Sequence, residues 1–94
     1  MRMKLEIAEA TALNVLGWLV SDEELLPIFM GSTGVDQDAL RQSAGDAAFL
    51  GSVLDFLLMD DAWVMRVCDA LNIPYQQLAA ARQALPGGAQ IHWT

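Results

Sequence analysis

One cysteine, Cys68, and one histidine, His92, are all that 94 residues offer a soft metal or a thiol reaction. A closed zinc site needs four such ligands, so none can form. A lone cysteine also excludes an intrachain disulfide and is compatible with a reducing cytoplasm, which is the expected location. Should the chain's end fold back, Cys68 and His92 could meet as nucleophile and base. The apolar face that carries Cys68 argues for packing instead, because reactive thiols sit in polar, accessible settings.

Basic residues are scarce too. Arg2, Lys4, Arg41, Arg66 and Arg82 stand against 12 acids, for a net charge of −7. They are scattered, with no stripe to follow a phosphate backbone, so nucleic acid is disfavoured as a partner. An anionic membrane surface is disfavoured for the same reason. No charge-free stretch is longer than 12 residues, Ala10–Ser21 among them, which is short of the ~18 a spanning helix requires. Arg2 and Lys4 before that stretch faintly imitate a signal peptide, but Glu6, Glu9 and the lack of a small-residue cleavage site oppose it. Gly-rich phosphate loops, serine elbows and paired carboxylates are also missing. No catalytic, cofactor-binding or metal-binding residue is assigned, and no cofactor is expected.

What the chain does have is apolar mass. Hydrophobic residues make up 54% even without glycine, where a globular domain with glycine counted averages ~45–50%. The excess points to apolar surface covered by a protein partner, most simply a second copy. Asp46–Met59 is apolar on most of its helical circumference through Phe49, Leu50, Val53, Leu54, Phe56, Leu57 and Leu58. Only Ala48, Ser52, Asp55 and Met59 form a stripe that tolerates water. Such a helix must be surrounded by others.

The expected architecture is therefore all-α: a compact orthogonal bundle of five to six short helices around a central helix at about 46–59. It forms one domain over 1–94 with a tail at 87–94. A first helix at 5–20 would bury Leu5, Ala8, Ala12, Val15, Leu16 and Leu19, widened by Leu13 and Val20. Ser21 and Glu24 have capping-box spacing for a second helix at 23–31, with Leu25, Leu26, Ile28 and Phe29 inward and Pro27 kinking it or delaying its start. Gly34 is a candidate left-handed cap. Asp36, Asp46 and Asp60 would cap helices at 37–44, 46–59 and 61–71. On the last of these, Trp63, Val64, Val67, Cys68 and Leu71 face inward and Arg66, Asp69 and Ala70 outward. Pro74 would open a final helix to Leu85, and Pro86-Gly-Gly ends it.

Eight acids (Asp22, Glu23, Glu24, Asp36, Asp38, Asp46, Asp60, Asp61) lie at or near proposed helix starts, where free N–H groups explain them without a ligand. Asp36-Gln-Asp38 begins like a calcium loop but lacks the later ligands. Asp55 is the only charge inside the central helix. The plain expectation places it on the exposed stripe, and the alternatives are an ion pair with Arg66 or Arg41, or a functional carboxylate.

Four segments together resemble a known family: Asp22-Glu-Glu-Leu-Leu-Pro-Ile-Phe, Gly31-Ser-Thr-Gly, Phe49-Leu-x-x-Val-Leu-Asp-Phe-Leu-Leu-Met-Asp-Asp, and Ala84-Leu-Pro-Gly-Gly. They are similar, in order and over nearly the whole chain, to domain-of-unknown-function family 3572, found mainly in alphaproteobacteria. The resemblance implies a small, all-helical, cytoplasmic protein. It implies no activity and brings no catalytic residues.

The leading functional expectation is a protein–protein interaction module without catalysis. Trp18, Trp63, Ile91 and Trp93 are the candidate contact residues, and Trp93 is expected to dock on its own domain. One alternative is a helix-turn-helix DNA reader over 62–83, using Tyr75, Gln76, Gln77 and Arg82. The other is an enzyme with an unrecognised site around Asp55.

Overall fold

Short polar punctuation divides the chain into six helices: α1 (Leu5–Ser21), α2 (Leu25–Thr33), α3 (Gln37–Ser43), α4 (Ala47–Leu58), α5 (Asp61–Leu71) and α6 (Tyr75–Ala84). The computed structural model describes residues 3–86. The expected tail at 87–94, with Ile91, His92 and Trp93, lies outside the described residues.

Three carboxylates stop and restart the chain as expected. Asp36 accepts from the Ala39 N–H at 2.8 Å, Asp46 from Ala48 at 3.0 Å and Asp60 from Ala62 at 2.8 Å. Each satisfies a donor that the first helical turn leaves free. Gly34 adopts the left-handed conformation, φ 76°, and its N–H closes α2 on the Met30 carbonyl at 2.8 Å.

The α1–α2 corner departs from expectation. Ser21 is not a cap: it ends α1, and its hydroxyl donates to the Gly17 carbonyl. Asp22 caps α2 instead, accepting from Glu24 N–H at 3.0 Å and Leu25 N–H at 2.9 Å. Its carbonyl takes the Leu26 N–H at 3.1 Å. Pro27 follows as the third helical residue and has no N–H to place. The helix runs from Leu25, two residues later than the expected start.

The core draws on every helix. α1 buries Ala8, Thr11, Ala12, Val15, Leu16 and Leu19, a strict three–four spacing. That seam leaves out Leu5, Leu13 and Val20, which are exposed, contrary to expectation; Ile28 of α2 is exposed as well. Thr11 joins the seam because its hydroxyl accepts from the Gln77 side-chain amide of α6 at 3.2 Å. α4 buries Leu50, Gly51, Val53, Leu54, Phe56 and Leu57, with Ala48, Ser52 and Met59 outward as expected. α1 lies against α2, α4, α5 and α6, so it shares the centre with α4. Phe29 of α2 plugs one side, edge-on to Phe56 at 5.1 Å and to Phe49 at 6.2 Å. Among the described residues no helix is long and apolar enough to cross a membrane.

Candidate functional site

α5 carries more apolar residues than one buried face can use, and its rotation decides which remain outside. Val67 is fully buried and Val64 nearly so. Trp63 stacks on Phe56 of α4, ring centres 4.8 Å apart at 24°. Arg66, expected outside, crosses to the α1–α2 corner. It donates to Asp22 at 2.6 Å and Glu24 at 3.0 Å, and its guanidinium lies 5.9 Å from the Trp18 ring centre. With α5 held so, Asp61, Val64, Met65, Cys68 and Asp69 line up along its outer edge, Met65 and the two acids exposed and Val64 and Cys68 at the margin of the core. Their spacing of three, four, seven and eight is one helical stripe.

The turn after α5 closes one end of that stripe. Asn72 takes the left-handed conformation, φ 56°, which Asn tolerates better than most residues. It lets the Ile73 N–H bond the Cys68 carbonyl at 3.0 Å and the Asn72 N–H the Asp69 carbonyl at 3.3 Å. The chain therefore folds back, and Ile73 and Tyr75 form a wall beside Cys68. The result is an open groove of about 500 Å³. It runs roughly 12 Å along α5, from 1.5 Å per residue. Its floor is Val64, Met65, Cys68 and Ile73, with a carboxylate at each end. Met65 and Tyr75 are 66% and 56% exposed, among the largest apolar exposures of the described residues.

The electrostatics are one-sided. Burial raises the Cys68 thiol above its ordinary value, and the Asp69 charge adds to the rise. The groove thus holds a neutral thiol, unsuited to nucleophilic attack. Asp61 lies in the first turn of α5, where the helix dipole favours an acid. Asp69 lies in the last turn, where the dipole opposes one. Among the described residues Asp69 joins no ion pair. Capping accounts for Asp60 and the helix dipole favours Asp61, but neither accounts for Asp69.

The groove is not built from the residues singled out by sequence. Trp18 and Trp63 are half-buried in separate contacts, one under Arg66 and the other on Phe56. Trp93 and Ile91 lie outside the described residues, as does His92. Asp55 is paired, but with neither Arg66 nor Arg41. Arg82 of α6 binds both of its oxygens. Neither the groove nor the smaller hollow of about 250 Å³ beside Val20, Leu26, Leu40 and Arg41 is lined by Asp55. Two helices joined by a short turn do occupy α5 and α6, but of their two bases Arg82 is buried against Asp55 of α4 and Arg66 is paired with Asp22 and Glu24, while Gln77 is bonded to Thr11. Such an arrangement leaves neither base unpaired for a phosphate contact. Met65, Ile73 and Asp69 were the missed residues. The signal was a second three–four apolar spacing on α5, through Val64, Met65 and Cys68.

A family model described as Protein of unknown function (DUF3572) matches residues 5–88. The chain belongs to that family. The match spans all six helices, and the family's description assigns no activity to the groove or to any residue. Neither the curated proteins nor the solved structures contain a match.

Proposed function

We propose that the protein is a small cytoplasmic interaction module without catalytic activity, and that it presents the α5 groove to another polypeptide. The observation that carries this reading is the groove itself: an apolar stripe at the margin of the core, walled by Ile73 and Tyr75, on which Met65 and Tyr75 stay exposed. Exposed single apolar residues are ordinary, whereas a contiguous concave stripe is what partner helices use. The rival hollow beside Arg41 has about half the volume. The two arginines of α5 and α6 are both engaged internally, which favours a polypeptide over a nucleic acid as the partner.

A photo-crosslinking residue in place of Met65, and separately in place of Leu13, tests the assignment in cells. Leu13 is 44% exposed on α1, away from the stripe, and serves as the control. The reading expects a defined adduct with another polypeptide from position 65, lost when Tyr75→Asp is added, and none from position 13. Equal adducts from both positions, or an adduct indifferent to Tyr75→Asp, contradict it.

A further inference from the structure

We infer that the α5 groove takes a short amphipathic helix whose apolar stripe is bracketed at both ends by Lys or Arg. This rests on the reading of the groove as an interaction surface and names the chemistry of its occupant.

Three features select a helix. The groove follows a helix rather than a strand edge, so no ladder of backbone groups is offered to an extended peptide. Its length of roughly 12 Å matches two turns of a partner helix, enough for anchors at i, i+3 or i+4, and i+7. The floor of Val64, Met65 and Cys68 is itself helical surface, into whose grooves the side-chain ridge of a second helix packs.

The flanking charge comes from Asp61 and Asp69. They stand at opposite ends of the floor, eight residues apart, and the groove is lined by no base. Asp69 is the informative one. It sits where its own helix disfavours it and, among the described residues, no base pairs with it, so a cation from outside is its natural counterpart. The field in the groove is negative enough to add to the rise in the Cys68 thiol. Met65 suits the floor, since an unbranched thioether adapts to differing apolar anchors.

The same charges disfavour a second copy as the occupant. A copy carries −7 and few bases. Of the bases on the described residues, Arg66 and Arg82 are already held by Asp22, Glu24 and Asp55. The 87–94 segment contains no Lys or Arg to meet Asp61 or Asp69.

The test uses the full chain, isotopically labelled, and two designed helical peptides of about 14 residues that share Leu at i, i+3 and i+7. One has Lys at both ends of the stripe and the other has Glu. The Lys-flanked peptide should shift the amide signals of Val64, Met65, Cys68, Ile73 and Tyr75. It should bind roughly tenfold tighter than the Glu-flanked one, the gap narrowing as salt is raised. Equal binding of both peptides in the groove overturns the charge assignment and leaves the groove an interaction surface. Binding elsewhere, or no binding by either peptide, overturns both. A dimer by sedimentation that Met65→Asp dissociates overturns the choice of occupant.

Discussion

Arg82 of α6 reaches across to Asp55 of α4 with both arms of its guanidinium fork: Nε donates to Oδ1, and Nη2 to Oδ2 at 2.9 Å. The remaining nitrogen, Nη1, donates to the Pro86 carbonyl at 3.2 Å. The two ends of the pair differ in setting. The Arg82 side chain is 10% exposed and that of Asp55 46%. A buried guanidinium thus depends on a carboxylate at the surface.

Removing that carboxylate should cost more than a surface charge does. Asp55→Ala is expected to lose about 1–2 kcal/mol, between the values for exposed and buried pairs because one partner is half in water. Denaturant unfolding measures it. A change below ~0.5 kcal/mol, the range of ordinary surface substitutions, would mean that water replaces Asp55 without penalty.

Two helical glycines should respond in opposite directions to alanine. A Cβ on Gly51 would lie 2.8 Å from Arg82 Nη1 and 3.2 Å from the Pro86 carbonyl oxygen, both held in place by the Asp55 pair. Gly51→Ala should destabilise by about 1–2 kcal/mol, since overpacking outweighs the gain in helix propensity. Gly17 in α1 has nothing within 4 Å of its Cβ position. Gly17→Ala should stabilise by about 0.5–1 kcal/mol. Paired thermal melts decide the matter; shifts of the same sign would refute the close approach of Arg82 to α4.

Asp22 should make the fold acid-sensitive. The Leu25 N–H, then the Glu24 N–H and the Arg66 charge, hold its carboxyl below the usual range despite an opposing contribution from burial. The folded state therefore releases this proton more readily than the unfolded chain, whose value is about 3.9. The stability it contributes is complete above that value and is lost as pH falls through the lowered one. Asp22→Asn should flatten the dependence of stability on pH below about 4. Parallel curves for the two proteins would show that Asp22 titrates alike in both states.

Leu54 is fully buried in α4. Leu54→Ala should cost about 2–5 kcal/mol through lost transfer energy and a cavity. At 4–8 °C per kcal/mol for a domain this size, the melting temperature should drop by roughly 10 °C or more. A melt within a few degrees of the parent would mean that the site collapses around the gap.

Local signals were legible in the sequence and long-range ones were not. Asp36, Asp46 and Asp60 act on N–H groups two or three residues away, so spacing alone identified them, and Asp61–Leu71 emerged with its observed limits. Ser21 and Asp22 are adjacent and either can cap, and which one does is a matter of register that composition does not settle. The partners of Asp55 and Arg66 lie 27 and 42 or more residues away in sequence. Only the packing of α4 on α6, and of α5 on the α1–α2 corner, brings them together. The groove was hidden for a similar reason. Cys68 belongs to an α5 face that reads as internal until Trp63 and Arg66 fix the rotation of the helix and leave Met65 uncovered.

Asp69 carries the charge of the groove that no partner among the described residues explains, and one substitution measured two ways tests it. Asp69→Asn removes an acid from the wrong end of α5. The free protein should be as stable as before or gain up to about 0.3–1 kcal/mol. The same variant should bind the Lys-flanked helical peptide severalfold more weakly, with the difference fading in high salt. Opposite signs, neutral or better for the fold and worse for binding, are the predicted result. A variant that melts lower, or that binds the peptide as tightly as the parent, would contradict the account, because Asp69 would then serve the fold or nothing at all.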